Sequence, residues 1–254
     1  MARPFHDRAD AGRVLATKLT AYTKHSQVQV LALPRGGVPV AFKVAQALQA
    51  PLDVFLVRKL GVPGHKELAM GAIATGGVRV LNDEVIRALA IAPEVIETVT
   101  AAEQQELARR EQLYRGDRPP LEVRGHILIL VDDGLATGAT MRAAVAALRQ
   151  QQPACLIIAV PMAAVETCEA LRAEVDEIIC AVTPRSFYAV GQGYEDFSPT
   201  TNAEVRHLLQ RAACASSASQ EADKQGITDA ATLSHTAYVS ICEPLDWVAD
   251  RPPG

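Results

Sequence analysis

Residues 127–140 read Ile-Leu-Ile-Leu-Val-Asp-Asp-Gly-Leu-Ala-Thr-Gly-Ala-Thr. The five apolar residues predict a buried strand, which delivers Asp132 and Asp133 into a loop of small residues that opens a helix. Adjacent aspartates at the end of a strand can accept hydrogen bonds from neighbouring sugar hydroxyls and can hold a hydrated magnesium ion. The N–H groups of the loop, the Thr137 and Thr140 hydroxyls and the helix N-terminus form an anion site. One segment can therefore hold a ribose and its phosphate.

Strands and helices alternate along the chain on both sides of this segment. Apolar runs bounded by turns predict strands at 28–33, 52–57, 127–131, 156–160 and 177–181, and a hairpin over 69–81. Helical spacing predicts helices at 9–22, 38–48, 82–89, 93–114, 140–152, 163–173 and 203–211. This alternation is typical of a doubly wound α/β fold with a mainly parallel sheet and helices on both faces.

The composition argues against several classes of protein. The chain has 254 residues with 25 basic and 29 acidic side chains, and its formal charge of −4 is not that of a basic polyanion binder. No stretch approaches the roughly 20 apolar residues of a membrane-spanning helix, and the first residues lack the apolar core of a secretion signal. We therefore expect a soluble, cytoplasmic protein without membrane or nucleic-acid partners. The five dispersed cysteines predict reduced thiols, and the six dispersed histidines argue against a zinc enzyme.

The segment 127–140 resembles the ribose-phosphate signature of the type I phosphoribosyltransferases. These enzymes bind 5-phosphoribosyl 1-pyrophosphate (PRPP) and transfer its ribosyl group to a nitrogen acceptor. The resemblance rests on the apolar run, the aspartate pair, Ala-Thr-Gly and a following threonine, in the context of strand, loop and helix. The alternative is an Asp-Asp-Gly turn before an ordinary capped helix. The PRPP-binding residues that the resemblance implies here are Asp132, Asp133, Gly134, Leu135, Ala136, Thr137, Gly138, Ala139 and Thr140.

Two earlier segments are similar to other parts of the family's donor site. Residues 34–37, Pro-Arg-Gly-Gly, resemble the pyrophosphate loop, where close backbone approach to an anion requires glycine. The resemblance also implies a strained or cis peptide after Arg35. The next strand ends in two cations, which stand where the family places positive charge against the pyrophosphate. A tight turn and a pair of solvated cations are the alternatives. These segments add Arg35, Gly36, Gly37, Arg58 and Lys59 to the implied PRPP-binding residues.

Two further segments resemble the parts of the family that close the site and contact the acceptor. Residues 61–68 are polar and turn-rich and resemble the flexible loop that excludes water; which of them acts in catalysis is open. The N-terminal helix and residues 183–200 resemble the hood, where Phe187 or Tyr188 would stack on a base, a plain core role being the alternative. Hypoxanthine-guanine enzymes have an aspartate at the position of Ala136 and usually a lysine at that of Ala139. The chain is therefore nearer to the adenine and uracil members, and the acceptor is open.

The resemblance implies a magnesium-dependent transfer at the anomeric carbon, as in nucleotide salvage. Its implied catalytic residues are Asp132, Asp133 and Lys59, and the two aspartates are also the implied Mg²⁺ ligands. PRPP and a nucleobase-like molecule are the implied substrates. A homodimer is expected because many proteins of this fold dimerise.

Two other functions are alternatives to the transferase. A PRPP-binding regulatory protein without transferase activity is the alternative, and a basic patch on one face would favour it. Such a patch could be formed by Arg109, Arg110 and Arg115, or by Arg142 and Arg149. A dinucleotide-binding enzyme has little support because no Gly-x-Gly-x-x-Gly follows the first strand.

The composition changes after Arg211. The following residues read Ala-Ala-Cys-Ala-Ser-Ser-Ala-Ser-Gln, and no sustained period continues to Gly254. We therefore predict a phosphoribosyltransferase-like domain over residues 1–211 and a low-complexity or loosely packed tail over residues 212–254.

Overall fold

A five-stranded parallel sheet forms the centre of the protein in the computed structural model, which describes residues 5–184 and 187–226. Its strands are β1 (Val28–Ala32), β2 (Leu52–Val54), β6 (Ile127–Val131), β7 (Cys155–Met162) and β8 (Glu177–Val182). The strand order is β2-β1-β6-β7-β8, and every neighbouring pair runs parallel. The chain winds outward from β1 on one side and from β6 on the other. The predicted doubly wound fold is confirmed, and the direction of winding reverses between β1 and β6.

Helices cover both faces of this sheet. They are α1 (Arg8–Ala16), α2 (Gly37–Leu48), α3 (Asp83–Ala88), α4 (Pro93–Arg115), α5 (Ala139–Gln150), α6 (Val165–Leu171) and α7 (Asn202–Gly226). Alternate side chains of a strand point to opposite faces, so Val30 joins a core with α1, α2, α4 and α7. Its neighbour Leu31 joins a separate core with α5 and α6. Every residue of β6 is buried, as expected for a central parallel strand.

Two helices begin at residues whose side chains cap them. The Asp7 carboxylate accepts a hydrogen bond from the N–H of Asp10 at 2.7 Å, and the Asn82 side chain accepts one from the N–H of Val85 at 3.2 Å. The predicted helix at 9–22 is shorter than expected, because α1 ends at Ala16 and a separate 3₁₀ turn covers Thr20–Tyr22.

A second, antiparallel sheet includes the residues predicted to form a mobile loop at 61–68. It consists of β3 (Val57–Val62), β4 (His65–Ala74) and β5 (Val78–Leu81), so the loop prediction is wrong and the hairpin prediction is confirmed. Val62 pairs with His65 across Pro63-Gly64, and the Pro-Gly pair is thus the tip of a tight hairpin. Polar residues fit such strands because one face of an antiparallel sheet can be solvated.

The predicted strand at 52–57 is divided between the two sheets. β2 ends at Val54, and the N–H of Leu56 donates to the hydroxyl of Thr75 at 3.0 Å instead of continuing the parallel ladder. Val57 begins β3. Arg58 and Lys59 therefore lie within an antiparallel strand and not at the end of a parallel one.

The predicted helix end at Arg211 is wrong, because α7 continues to Gly226. Val205, Leu209 and Ala212 recur at helical spacing and are buried against the rest of the core. The alanines after Arg211 favour helix, which explains why the change in composition does not end it. The predicted tail at 212–254 therefore begins inside a helix, and its residues 227–254 lie outside the described ranges.

Among the described residues, the cysteines at 155, 168, 180 and 214 form no disulfide bond, and the sulfur atoms of Cys168 and Cys180 lie 3.1 Å apart. Cys242 lies outside the described residues. Over the described ranges, no helix combines the length and the hydropathy that crossing a bilayer requires.

Candidate active site

The predicted pyrophosphate loop and the aspartate pair lie side by side at one edge of the parallel sheet. β1 and β6 are paired in register, with Ala32 opposite Val131. The N–H of Leu33 donates to the carbonyl of Val131 at 2.9 Å, which extends the pairing to the start of both loops. Because the carboxyl ends of parallel strands meet at one edge, segments distant in sequence are brought together here.

Glycine is required where the two loops touch. A Cβ atom on Gly37 would lie 2.7 Å from the carbonyl oxygen of Val131, and one on Gly36 would overlap the carboxylate oxygen Oδ2 of Asp133. The Arg35 side chain is exposed. The cis peptide bond of this loop joins Pro34 to Arg35, and thus precedes Arg35 instead of following it as predicted. The inner side of the loop has no room for a side chain.

The loop after Asp133 is supported from beneath by β7 and α6. The N–H of Leu135 donates to the carbonyl of Met162 at 2.9 Å, and the Leu135 carbonyl accepts from the N–H of Ala164 at 3.0 Å. The Leu135 side chain is buried. The Thr167 hydroxyl donates to the carbonyl of Ala136 at 2.5 Å. Leu135 therefore offers no free donor to an anion and serves to support the loop.

The outer rim of the same loop is open. Thr137, Ala139 and Thr140 are exposed around the first turn of α5, and Gly138 is its N-cap with a φ of +70°. Gly134 is buried against Val190. The hydroxyls and the N-terminal N–H groups of α5 thus face solvent together, as an anion site at a helix N-terminus requires.

Asp133 is held by two residues that the sequence did not single out. The guanidinium Nε of Arg8 donates to Oδ2 of Asp133 at 2.8 Å, and the two side chains are only 10% and 15% exposed. The Tyr194 hydroxyl donates to the backbone carbonyl of Asp133 at 2.5 Å. Both the carboxylate and the backbone of Asp133 are therefore fixed from the N-terminal helix and the hood.

The adjacent Asp132 carboxyl has a different environment. Burial, together with the negative charge of Asp133, raises the pKa of Asp132 well above its ordinary value. Its Oδ1 accepts a hydrogen bond from the N–H of Asp133 at 2.8 Å. Burial also raises the pKa of Tyr194, so its hydroxyl keeps its proton and remains a donor. Two neighbouring aspartates thus differ in partner and in proton affinity.

The two cations of β3 point in different directions. Nε of Arg58 donates to Oε2 of Glu103 on α4 at 2.7 Å, and both side chains are half-buried. Lys59 is exposed and has no ion-pair partner among the residues that the structure describes. Adjacent strand residues face opposite sides of the sheet, which separates the pair. Arg58 is therefore paired with α4 in this structure, and its contact with the pyrophosphate stays a prediction.

The two segments predicted to form the hood contact each other. The N–H of Phe5 donates to the carbonyl of Gly193 at 2.7 Å, and the N–H of Glu195 donates to the carbonyl of Phe5 at 2.8 Å, which pairs the segments in parallel. Phe187 packs against a small core that contains Phe5 and Tyr194. Tyr188 is 81% exposed. Of the two predicted base-stacking rings, Phe187 is part of the packing and Tyr188 is available to a ligand.

Arg8 and Tyr194 lie 125 and 61 residues from Asp133 in sequence. Tyr194 stands in the predicted hood and could have been proposed as a polar contact from that position alone. Arg8 has no motif around it, and only the packing of α1 over the sheet edge shows its role.

The chain was compared with known proteins. A family model, the phosphoribosyl transferase domain, matches residues 5–196. Two curated proteins from Mycobacterium tuberculosis, strains CDC 1551 / Oshkosh and H37Rv, carry the provisional name of phosphoribosyl transferase. Each is 47% identical over 208 residues, which cover 82% of this chain and 47% of theirs. The chain thus spans about half the length of these relatives.

One solved structure is similar over most of the chain. The crystal structure of TT1426 from Thermus thermophilus is 40% identical, with a TM-score of 0.72. The match covers 81% of this chain and 97% of that one.

Proposed function

The chain belongs to the phosphoribosyl transferase domain family, and from this we propose that it transfers the 5-phosphoribosyl group of PRPP to a nitrogen acceptor and releases pyrophosphate. The observation that supports the proposal most directly is the contact of two loops at the edge of the parallel sheet, where Gly36 and Gly37 pack against Asp132 and Asp133. One loop would hold the pyrophosphate and the other the ribose and its 5-phosphate. Both ends of PRPP would then lie at the same edge of the sheet.

Different residues of this edge would bind different parts of PRPP. Thr137, Thr140 and the N-terminal turn of α5 would bind the 5-phosphate, because they present donors to solvent. The carboxylates of Asp132 and Asp133 would accept hydrogen bonds from the ribose hydroxyls. Their negative charge would also stabilise the positive charge that develops on the ribose ring as the bond to pyrophosphate breaks.

The donor set at this edge fits a magnesium ion that is bound together with PRPP. Mg²⁺ prefers oxygen ligands, keeps several waters and is usually held by one or two carboxylates and substrate phosphates. Asp132 and Asp133 are partly exposed carboxylates at this edge and would hold the ion, directly or through its waters. When bound, the ion supplies positive charge that stabilises the leaving pyrophosphate. Lys59, exposed on β3, would add to that charge.

The acceptor that we propose is a nucleobase. Tyr188 supports this choice, because it offers a largely exposed aromatic ring in the hood, where a planar base could stack on it. Ala136 provides no acid for a purine ring nitrogen, so protonation of the base by this position is not part of the proposal. The reaction would serve nucleotide salvage in a homodimer, and light scattering would test that oligomeric state.

The alternative regulator finds no support in the arginines that could form its basic patch. Arg109 and Arg110 pair with Glu106, Arg115 pairs with Asp53, Arg142 pairs with Glu174, and Arg149 pairs with Asp176. Four carboxylates pair with these five side chains, and a nucleic acid would have to displace them. The transferase is therefore the function that we propose.

Calorimetry with PRPP and Mg²⁺, followed by a pyrophosphate-release assay, tests the proposal. The acceptor panel is adenine, hypoxanthine, guanine, xanthine, uracil and orotate. Release with one base would establish the transferase and identify its acceptor. PRPP binding without release would favour the regulatory protein or an acceptor outside the panel, and no PRPP binding would overturn the proposal.

A further inference from the structure

We infer that Arg8 is a positioning residue that sets the orientation of Asp133 for the donor ribose and so makes the hood part of the PRPP site. The inference rests on the proposed function. Arg8 lies at the start of α1, outside both loops of the sheet edge, and contacts the Asp133 carboxylate through one nitrogen. None of the motifs recognised in the sequence includes it.

The guanidinium of Arg8 is held from three sides. Nε donates to Oδ2 of Asp133, and NH1 donates to the backbone carbonyl of Ser198 at 2.8 Å. Its central carbon lies 4.0 Å from the centre of the Phe197 ring. The Phe197 ring in turn stacks on Tyr194 at 5.1 Å between ring centres. Because the guanidinium is engaged on these three sides, its direction toward Asp133 is fixed.

The same contact fixes one oxygen of the Asp133 carboxylate. Oδ2 accepts from Arg8 and also faces Gly36, whose missing Cβ makes room for it. Arg8 thus holds this oxygen against the pyrophosphate loop, and with it the carboxylate that would receive the ribose hydroxyls.

Charge gives Arg8 a second role at this edge. PRPP is polyanionic, and the negative charge of Asp133 would repel it. The guanidinium offsets this charge without facing solvent, because Arg8 is itself buried. A buried ion pair adds little net stability to a fold, whereas it fixes geometry. The arrangement therefore serves the site more than the stability of the domain.

The test compares the dissociation constant of PRPP, measured calorimetrically with Mg²⁺, in Arg8→Gln, Arg8→Lys and Arg13→Gln. Arg13 is the matched control, since it lies on the same helix but forms an exposed ion pair with Asp10. Loss of one charge-assisted hydrogen bond to an oriented carboxylate should weaken PRPP binding about 10-fold or more in Arg8→Gln. Arg8→Lys should recover part of the loss, and Arg13→Gln should bind as the wild type does.

A double-mutant comparison separates positioning from general damage. If Arg8 acts through Asp133, the pair Arg8→Gln with Asp133→Asn should bind PRPP no more weakly than Asp133→Asn alone. Additive losses would overturn the inference. So would Arg8→Gln with a lower melting temperature but an unchanged PRPP dissociation constant.

Two further outcomes also have a defined interpretation. If Arg8→Gln does not fold, Arg8→Lys decides the question, because it keeps the charge but lacks the planar guanidinium that fixes the direction of the contact; weaker PRPP binding than in the wild type supports the inference and unchanged binding overturns it. If the wild-type protein does not bind PRPP, the proposed function is overturned and this inference with it. Wild-type binding that Arg8→Gln leaves unchanged overturns this inference alone.

Discussion

The donor edge (residues 34–37 and 132–140) and the outer hood (His6, residues 187–189 and Glu195) differ in how firmly their side chains are held. At the donor edge, Asp133 is 15% exposed and has a partner for its carboxylate and for its backbone carbonyl. On the outer hood, Tyr188 is 81% exposed, and the His6–Glu195 pair is exposed on both sides. At the proposed donor site the side chains are thus held by several partners, whereas on the proposed acceptor side they are exposed to solvent.

The largest expected effect is that of Asp133→Asn at the donor edge. Removing a preorganised charge from a site shielded from water should lower turnover roughly 10²- to 10³-fold, or about 3–4 kcal/mol of transition-state stabilisation. The check is pyrophosphate release under saturating PRPP, with circular dichroism to show that the fold is intact. Activity close to that of the wild type would remove Asp133 from the catalytic machinery.

Gly36→Ala tests whether the donor edge depends on close packing. The added methyl group would overlap Oδ2 of Asp133 and displace the carboxylate, and a displacement of about 1 Å can cost roughly 100-fold. We expect a corresponding rise in the PRPP dissociation constant. Gly116→Ala is the control for a strained glycine outside the donor edge: a Cβ there meets no atom within 4 Å, but the φ of +56° disfavours alanine, so the variant should lower the melting temperature without changing PRPP binding. Equal PRPP binding by both variants would show that the donor edge is more tolerant than its geometry suggests.

The adjacent cations of β3, Arg58 and Lys59, allow an ion-paired and an exposed side chain to be compared within one strand. Lys59→Gln should weaken PRPP binding about 10-fold, because one charge-assisted contact to pyrophosphate is lost, and the effect should decrease with added salt. Arg58→Gln should leave PRPP binding unchanged, because its charge is paired with Glu103. Calorimetry at two salt concentrations distinguishes them. A larger loss in Arg58→Gln would mean that Arg58 leaves Glu103 when PRPP binds.

Tyr188→Ala tests the exposed side chains of the outer hood. Loss of one stacking contact, worth about 0.5–1.5 kcal/mol, should raise the KM of the acceptor about 3- to 10-fold without changing PRPP affinity. Phe187→Ala should instead lower the melting temperature, because that ring packs in the small core of the hood. Steady-state kinetics and thermal unfolding of both variants check this division. The reverse pattern would exchange the roles of the two rings.

The smallest expected effect is a gain in stability in Asp132→Asn. Because the pKa of Asp132 is raised in the folded protein, the folded state keeps this proton to higher pH than the unfolded chain. The free energy of unfolding of the wild type therefore falls as pH rises above about 4, the ordinary aspartate pKa. The variant lacks this loss, so its melting temperature should exceed that of the wild type by a few degrees at about pH 7 and match it at about pH 3. A lower melting temperature at neutral pH would contradict the assigned environment.

Local sequence patterns predicted most of the parallel sheet. They failed where contacts between segments that are distant in sequence determine the structure. β6 matches its predicted bounds because a central strand is apolar at every position. The hairpin at 61–68 was missed because Pro63-Gly64 is equally typical of a long loop and of a two-residue turn. The direction of Arg58 depends on α4, and α7 passes Arg211 because alanines favour helix and Ala212 is buried.

The candidate site shows the same limit. The two loops were found because each carries its own motif. Arg8 was missed because its contact with Asp133 spans 125 residues, and no local pattern marks an arginine at the start of a surface helix as a partner of a strand end.

Arg8 donates to the carbonyl of Ser198, which lies 190 positions later in the sequence. Arg8 is therefore synthesised well before its hood partner. At translation rates of about 5–20 residues per second, roughly 10–40 s separate the addition of these two residues. During that interval the nascent chain can form β1, α2 and β6, but Arg8 lacks its hood partners. A ribosome-bound chain arrested before Tyr194 should therefore already have the two donor loops and yet bind PRPP poorly, until the last segment of the hood closes over them.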